Sequence, residues 1–152
     1  MTRASAPVVG IALLLAVTVA VSGAVAAGVF SVAPSDPPPQ ASLALSADAD
    51  ADRVALTHRG GDPLDVRELT VRVEVDGDPL ARQPPVPFFA AAGFRGGPTG
   101  PFNPAADQRW TPGETASFRV AATNDPELWP GATVAVTVYH DDRPVAELEA
   151  TA

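Results

Sequence analysis

The chain has 152 residues, which is enough for one domain and an additional segment. Its 18 acidic residues outnumber its 10 basic ones, and the resulting net charge of -8 argues against a nucleic-acid partner, because an acidic surface repels phosphates. The absence of cysteine excludes disulfides, thiolate metal sites, cysteine nucleophiles and lipid attachment to cysteine.

All the basic residues are arginine, and the chain contains no lysine. An acidic, lysine-free composition rich in Ala and Val is typical of proteins that work in high salt, since carboxylates hold water and promote solubility. A GC-rich genome, which also favours Ala, Arg, Gly, Pro and Val, is the alternative explanation. It accounts for the missing lysine more readily than for the acid excess, so we prefer the halophilic interpretation.

The N-terminal segment carries no charge from Ala4 to Ser35 and is apolar on all sides of a helix. As a helix, residues 8–33 measure ~39 Å, more than the ~30 Å of a hydrocarbon core. The sequence therefore predicts a short leader and a single transmembrane helix over residues 1–33. A secretory signal peptide cleaved near Ala26 is the alternative, but its apolar region would span only ~7–15 residues.

Small residues are frequent in this segment, including Gly10, Gly23 and Gly28. Small side chains let membrane helices approach closely, so the pattern favours packing against other helices. The alternative is that a GC-rich genome simply uses Ala and Gly in its membrane segments.

Two motifs resemble archaeal type IV pilin-like proteins of halophiles. Residues 6–10 read Ala-Pro-Val-Val-Gly, which resembles the family's Ser-Pro-Val-Ile-Gly block, and they follow Arg3 and precede an apolar helix that contains Thr18. Residues 56–62 read Leu-Thr-His-Arg-Gly-Gly-Asp, which is similar to a downstream segment of the family. The resemblance implies assembly with like subunits or other pilins through the helix. It also implies cleavage by a prepilin peptidase, here after Ala4.

Residues 34–40 are rich in proline, and proline runs favour an extended polyproline II linker that separates the membrane segment from the rest of the chain. Beyond it the hydrophobic period changes to two, the signature of half-buried strands. The alternating segments are residues 43–45, 54–58, 69–75, 116–122, 134–138 and 145–150. About seven short strands predict an extracellular immunoglobulin-like antiparallel β-sandwich over residues 41–152.

Two turns repeat a motif in which a tryptophan and a Pro-Gly pair precede a strand. They begin at Trp110 and Trp129, and we interpret them as turns that introduce strands rather than as a ligand site. Residues 93–104 form a Gly/Pro-rich stretch with two phenylalanines, for which a mobile loop is preferred to a contact surface.

No set of residues predicts catalysis. The two histidines, His58 and His140, each lie at the end of a predicted strand, where structural or solvent-facing roles are common. Residues 59–62 resemble a phosphate-binding loop, but no helix pattern comes after them, so a Gly-Gly turn is the simpler interpretation. Asp48, Asp50 and Asp52 are spaced like the start of a calcium loop that lacks its later Gly and Glu. The sequence thus predicts no catalytic, cofactor-binding or metal site.

The combined prediction is a non-enzymatic surface protein of the cell membrane, single-pass or part of a pilus, with its C-terminal domain outside. It resembles a pilin subunit with a structural or adhesive role. The alternative is an anchored extracellular binding or accessory module that does not polymerise. The expected partners are membrane lipid, like subunits and a prepilin peptidase.

Overall fold

The computed structural model describes residues 5–30 and 37–152, with the side chains of residues 7–22 in the first of these ranges. The chain divides into two compact units, Met1–Pro37 and Pro38–Ala152. The predicted leader, its cleavage after Ala4 and the first part of the proline linker lie outside the described residues.

The described residues of the first unit form a helix, α1, over Ser5–Phe30, with no acidic residue in its first turn and no basic residue in its last. The prediction of a helix is confirmed over this range. Its described side chains, residues 7–22, are all exposed. Within the part of the chain that the structure describes, no helix combines the length and apolar character needed to cross a membrane.

Strands dominate residues 37–152, as the alternating pattern predicts. They are β1 Ala41–Asp48, β2 Arg53–Gly61, β3 Leu64–Asp65, β4 Leu69–Val75, β5 Asp78–Pro79, β6 Phe94–Thr99, β7 Arg109–Trp110, β8 Thr115–Val120, β9 Thr133–His140 and β10 Arg143–Thr151. Short 3₁₀ turns lie at Val66–Glu68 and Gly100–Phe102.

The strands form two four-stranded sheets and one small ribbon. The first sheet has the order β1-β2-β8-β6 and the second the order β10-β9-β4-β5, while β3 pairs with β7. Each of these strand pairs is antiparallel. The prediction of a mainly β, antiparallel domain is therefore confirmed.

Buried side chains from both sheets form one hydrophobic core. In β4 the alternation is strict, with Leu69, Val71, Val73 and Val75 buried and the residues between them exposed. Aromatic side chains fill the core beside the first sheet: the ring centroids of Phe94 and Phe118 are 5.5 Å apart. Such edge-to-face pairs add stability beyond the area that they bury.

Two hairpin turns have the backbone that their residues favour. Asp76 and Gly77, between β4 and β5, have φ of 53° and 86°, and Asp141 and Asp142, between β9 and β10, have φ of 47° and 63°. Positive φ at both central residues matches the twist of the flanking strands, and Asp and Gly tolerate it. The second turn joins β9 to β10, which begins at Arg143.

The preference for a mobile loop over residues 93–104 is wrong. Phe94 opens β6, which pairs with β8, and the 3₁₀ turn after β6 ends on Phe102. Phe102 is fully buried and Phe94 nearly so. The two phenylalanines supply enough apolar surface to fix this segment against the core, although its Gly and Pro content is typical of a loop.

Candidate functional site

Three arginines stand side by side on the outer face of the first sheet. Arg53 on β2 lies directly opposite Arg119 on β8, and Arg119 lies opposite Arg95 on β6. Because directly paired residues project from the same face of a sheet, the three side chains form a row across it. We call this set the arginine row.

The alternation of the three strands turns the arginine row away from the core. Val54, Phe118 and Phe94 each neighbour one of the arginines along the chain, and all three are buried. Since successive side chains point to opposite faces, the arginines face outward and all are exposed. Burial of the apolar neighbours therefore fixes the position of the charges.

A groove of about 450 Å³ lies over the arginine row. The row forms part of its lining, together with residues 50–52 of the β1–β2 turn. Thr99 and Ser117 also line it, with their hydroxyl oxygens 2.7 Å apart. The groove thus combines guanidinium, carboxylate and hydroxyl groups in its lining.

The arginines differ in how they are paired. Arg95 donates from Nη2 to the Asp52 carboxylate over 2.7 Å, but half of the arginine side chain stays exposed, so this contact is weak. In the described part of the chain, neither Arg53 nor Arg119 makes a side-chain hydrogen bond or ion pair. Asp48 is the register partner of Arg53 on β1, and its carboxylate accepts the backbone N–H of Ala51. The guanidinium groups of Arg53 and Arg119 therefore have N–H donors that no described residue uses.

His58 lies inside β2, and the prediction that it stands at a strand end is wrong, because β2 continues to Gly61. The side chain is fully buried, and its ring meets Trp110 edge-on at 5.9 Å. Nε2 donates to the Asp62 carbonyl oxygen over 2.9 Å, since a carbonyl only accepts. Among the described residues Nδ1 has no hydrogen-bond partner. The histidine packs as a core residue.

His140 does end its strand, as predicted, and lies half-buried at the end of β9. Its Nε2 is 3.1 Å from the Glu68 carboxylate, and Nδ1 is 3.6 Å from that of Asp141. The two histidines are thus held in separate contacts, one in the core and one near the surface.

The other sequence motifs occupy turns and strand ends. Residues 59–61 complete β2, and Asp62 binds Gln40 through its backbone N–H and its carboxylate. Asp50 lies in the β1–β2 turn, while Asp48 ends β1 and Asp52 binds Arg95. Within residues 5–30 and 37–152, no three His, Asp or Glu side chains are arranged to hold a metal ion.

The repeated Trp-Pro-Gly motif introduces strands, as predicted, but its two tryptophans have different environments. Gly113 and Gly131 have φ of 95° and 94°, and β8 and β9 begin two residues after them. Trp110 is fully buried and donates to the Glu114 carbonyl oxygen. Trp129 is half exposed and donates to the Asp76 carboxylate over 3.0 Å. The motif predicts the turns but not the burial of the rings.

Sequence reasoning missed the arginine row. Each arginine is one exposed residue of its own strand, and a single exposed arginine does not indicate a site. The row exists only because Arg53 pairs with Arg119 and Arg119 with Arg95. The register between strands distant in the chain is not readable from one sequence.

No family model matches the chain. Among known proteins, an uncharacterized protein of Archaeoglobus fulgidus is 40% identical over 70 residues. The matched stretch covers 44% of this chain and 49% of that relative. The chain thus spans about half the length of the archaeal protein that it resembles.

Proposed function

We propose that this chain is a membrane-anchored surface subunit resembling an archaeal type IV pilin, with a structural or adhesive role and no catalytic activity. The proposed anchor is residues 8–33, a range taken from the uncharged apolar run of the sequence and not from the described helix, in which no membrane-spanning segment is found. In this proposal the β domain lies outside the membrane. The observation that carries the proposal is α1, an uncharged helix whose described side chains are all exposed.

The described side chains of α1 present a continuous apolar surface that favours contact with lipid or protein. Large apolar residues such as Val8, Leu14 and Val19 are about two-thirds exposed. An exposed apolar surface of this kind marks a membrane or protein contact. Because the apolar surface surrounds the helix, lipid or a bundle of like helices would cover more of it than the flat surface of one partner protein.

The polar group described in the middle of α1 is also compatible with a lipid environment. Thr18 donates from Oγ1 to the Leu14 carbonyl oxygen over 2.8 Å. Moving an unsatisfied hydroxyl into hydrocarbon costs about 4–8 kcal/mol. A hydroxyl that is hydrogen-bonded within its own helix avoids most of this cost. Thr18 therefore adds little to the cost of inserting the helix.

The strand order supports an immunoglobulin-like assignment for the β domain. In the immunoglobulin fold one sheet contains strands A, B, E and D, and the other contains G, F and C. The orders β1-β2-β8-β6 and β10-β9-β4-β5 match this scheme, with β5 as an additional strand beside C. Such domains are frequent on cell surfaces, in agreement with the proposed location.

The pilin part of the proposal depends on the motifs at residues 6–10 and 56–62. The partial match to a protein of an archaeon agrees with the kind of organism that the motifs indicate. A prepilin peptidase that cuts after Ala4 would leave the helix intact for packing with like subunits.

A binding module that is anchored in the membrane without polymerising is the second candidate. The groove over the arginine row favours this candidate, because a pocket lined by a few charged groups is typical of a ligand-binding site.

Crosslinking in cells separates the two candidates. Gly10 has nothing within 4 Å of the position where a β-carbon would lie, so Gly10→Leu leaves the isolated chain undisturbed. In a helix bundle the larger side chain blocks close approach. We expect Gly10→Leu to keep the parent level in membranes and lose crosslinked oligomers. Gly10→Ala, the matched control, should retain them. A strictly monomeric parent would contradict assembly and favour the anchored module.

A further inference from the structure

We propose that the groove over the arginine row binds a compact ligand through an oxyanion group, a carboxylate, sulfate or phosphate. Arg53 and Arg119 are its principal contacts. The site lies on the β domain. It goes beyond the proposed pilin-like function, since neither anchoring nor helix packing requires it, and it gives the second candidate, the binding module, a ligand class.

The first reason is electrostatic. Directly opposite residues on paired strands have β-carbons about 4.5–5.5 Å apart, and like charges at this spacing are destabilising. Arg119 lies between two other arginines, one of which is bound to Asp52. An oxyanion placed between Arg53 and Arg119 replaces this repulsion with two attractive contacts.

The second reason is the geometry of the donors. A guanidinium group presents its N–H groups as a planar fork that matches the oxygens of a carboxylate, sulfate or phosphate. The side chains of Arg53 and Arg119 make no hydrogen bond to any described residue. Both forks are exposed beside the groove and need no internal contact to break before a ligand binds.

The third reason concerns size and charge. The volume of about 450 Å³ falls within the range of small-molecule sites, about 300–1,000 Å³. Asp50 and Asp52 in the lining and the net charge of -8 oppose a long polyanion. The hydroxyls of Thr99 and Ser117 can bond to a polar ligand body. These features favour a compact ligand with one oxyanion group, such as an acidic sugar.

The test is isothermal titration calorimetry of the full chain in detergent, with sodium sulfate, sodium glucuronate and neutral glucose as probes at matched ionic strength. The test variant is Arg53→Gln with Arg119→Gln. Arg72→Gln is the matched control, because Arg72 is an exposed arginine on β4 of the other sheet. We expect saturable binding of sulfate or glucuronate to the parent and to Arg72→Gln, and at least tenfold weaker binding to the double variant.

Binding of both anions shows that the oxyanion group is sufficient, and binding of glucuronate alone shows that a sugar must carry it; both support the site. Equal binding of glucose, or equal affinity of the double variant and the parent, overturns the proposal. A second measurement needs no variant: NMR of the arginine side-chain N–H signals during the titration. The signals of Arg53 and Arg119 should shift and that of Arg72 should not, and equal shifts in all three would overturn the site. Either failure leaves membrane anchoring untouched, because that is measured by cell fractionation.

Discussion

His58 lies within a sequence motif but contributes to the packing of the hydrophobic core. It belongs to the segment at residues 56–62 that resembles the pilin-like family, yet its side chain is fully buried beside Trp110. Its Nε2 satisfies the Asp62 carbonyl next to the end of β2. In this chain the histidine therefore links the first sheet to the turn after β2.

Replacing His58 should cost considerable stability. His58→Ala removes a buried ring and its hydrogen bond, so we expect the free energy of unfolding to fall by about 2–5 kcal/mol, the range of large-to-small core substitutions. His140→Ala, the matched control, removes a half-buried ring and a contact with Glu68, and should cost about 1 kcal/mol or less. Urea unfolding of both variants measures the difference. Equal losses would contradict the core assignment of His58.

A carboxylate near the surface should make stability depend on pH in the acid range. The side-chain hydrogen bond from Arg67 is the main cause that lowers the pKa of Asp65 from its ordinary 3.8 to about 2. A lowered pKa in the folded chain contributes stability above pH 4, which is lost as the pH falls towards 2. Asp65→Asn keeps the contact to the Arg67 backbone and removes the charge.

Thermal unfolding at several pH values tests this linkage. Asp65→Asn should be less stable than the parent at pH 7, and the difference should vanish near pH 2. Asp107→Asn is the matched control, because the Asp107 carboxylate likewise accepts the backbone N–H two residues on, from Arg109. A pH-independent difference between Asp65→Asn and the parent would contradict the assignment.

At the scale of the elements, predictability depends on the strictness of alternation. β4 was predicted at residues 69–75, because every second side chain is apolar and the core covers one face. β6 was missed, because Gly96, Gly97 and Pro98 interrupt the alternation within it. The pairing of β6 with β8 shifts in register across this stretch. Tertiary packing of Phe94 and Phe102, rather than local pattern, fixes the segment.

Substitution of Phe102 tests whether residues 93–104 belong to the core. Phe102→Ala should lower the free energy of unfolding by about 3–5 kcal/mol, because the ring is fully buried. Phe89→Ala is the matched control on the neighbouring connection, where the ring is two-thirds exposed, and should change it by about 0.5 kcal/mol or less. A similar small effect for both variants would restore the mobile-loop interpretation.

The candidate site was less predictable than the fold. Composition and periodicity predicted the helix and the antiparallel β domain, since both follow from patterns of residues close in the chain. The arginine row depends on the pairing of β2 and β6 with β8, which joins distant segments. Its three members give no signal along the chain, because each is one exposed residue on a half-buried strand.

For the whole molecule, the charge balance predicts a dependence on salt. With 18 acidic residues against 10 arginines, the folded chain repels itself at low ionic strength. Screening lengths fall from ~10 Å at 0.1 M to ~3 Å at 1 M salt, so added salt should weaken this repulsion. We therefore expect the midpoint of thermal unfolding to rise with sodium chloride. An unchanged midpoint between these two concentrations would contradict the halophilic interpretation.

The mass of the mature chain in fractionated cells tests the proposal that residues 8–33 are retained as a pilin-like anchor. Cleavage after Ala4 predicts a chain that begins at Ser5 and is recovered in washed membranes. An intact Met1 in the same fraction supports anchoring without pilin processing. A soluble chain that begins near Ala27 would contradict the account, because the apolar segment would then be a signal peptide that the mature protein has lost.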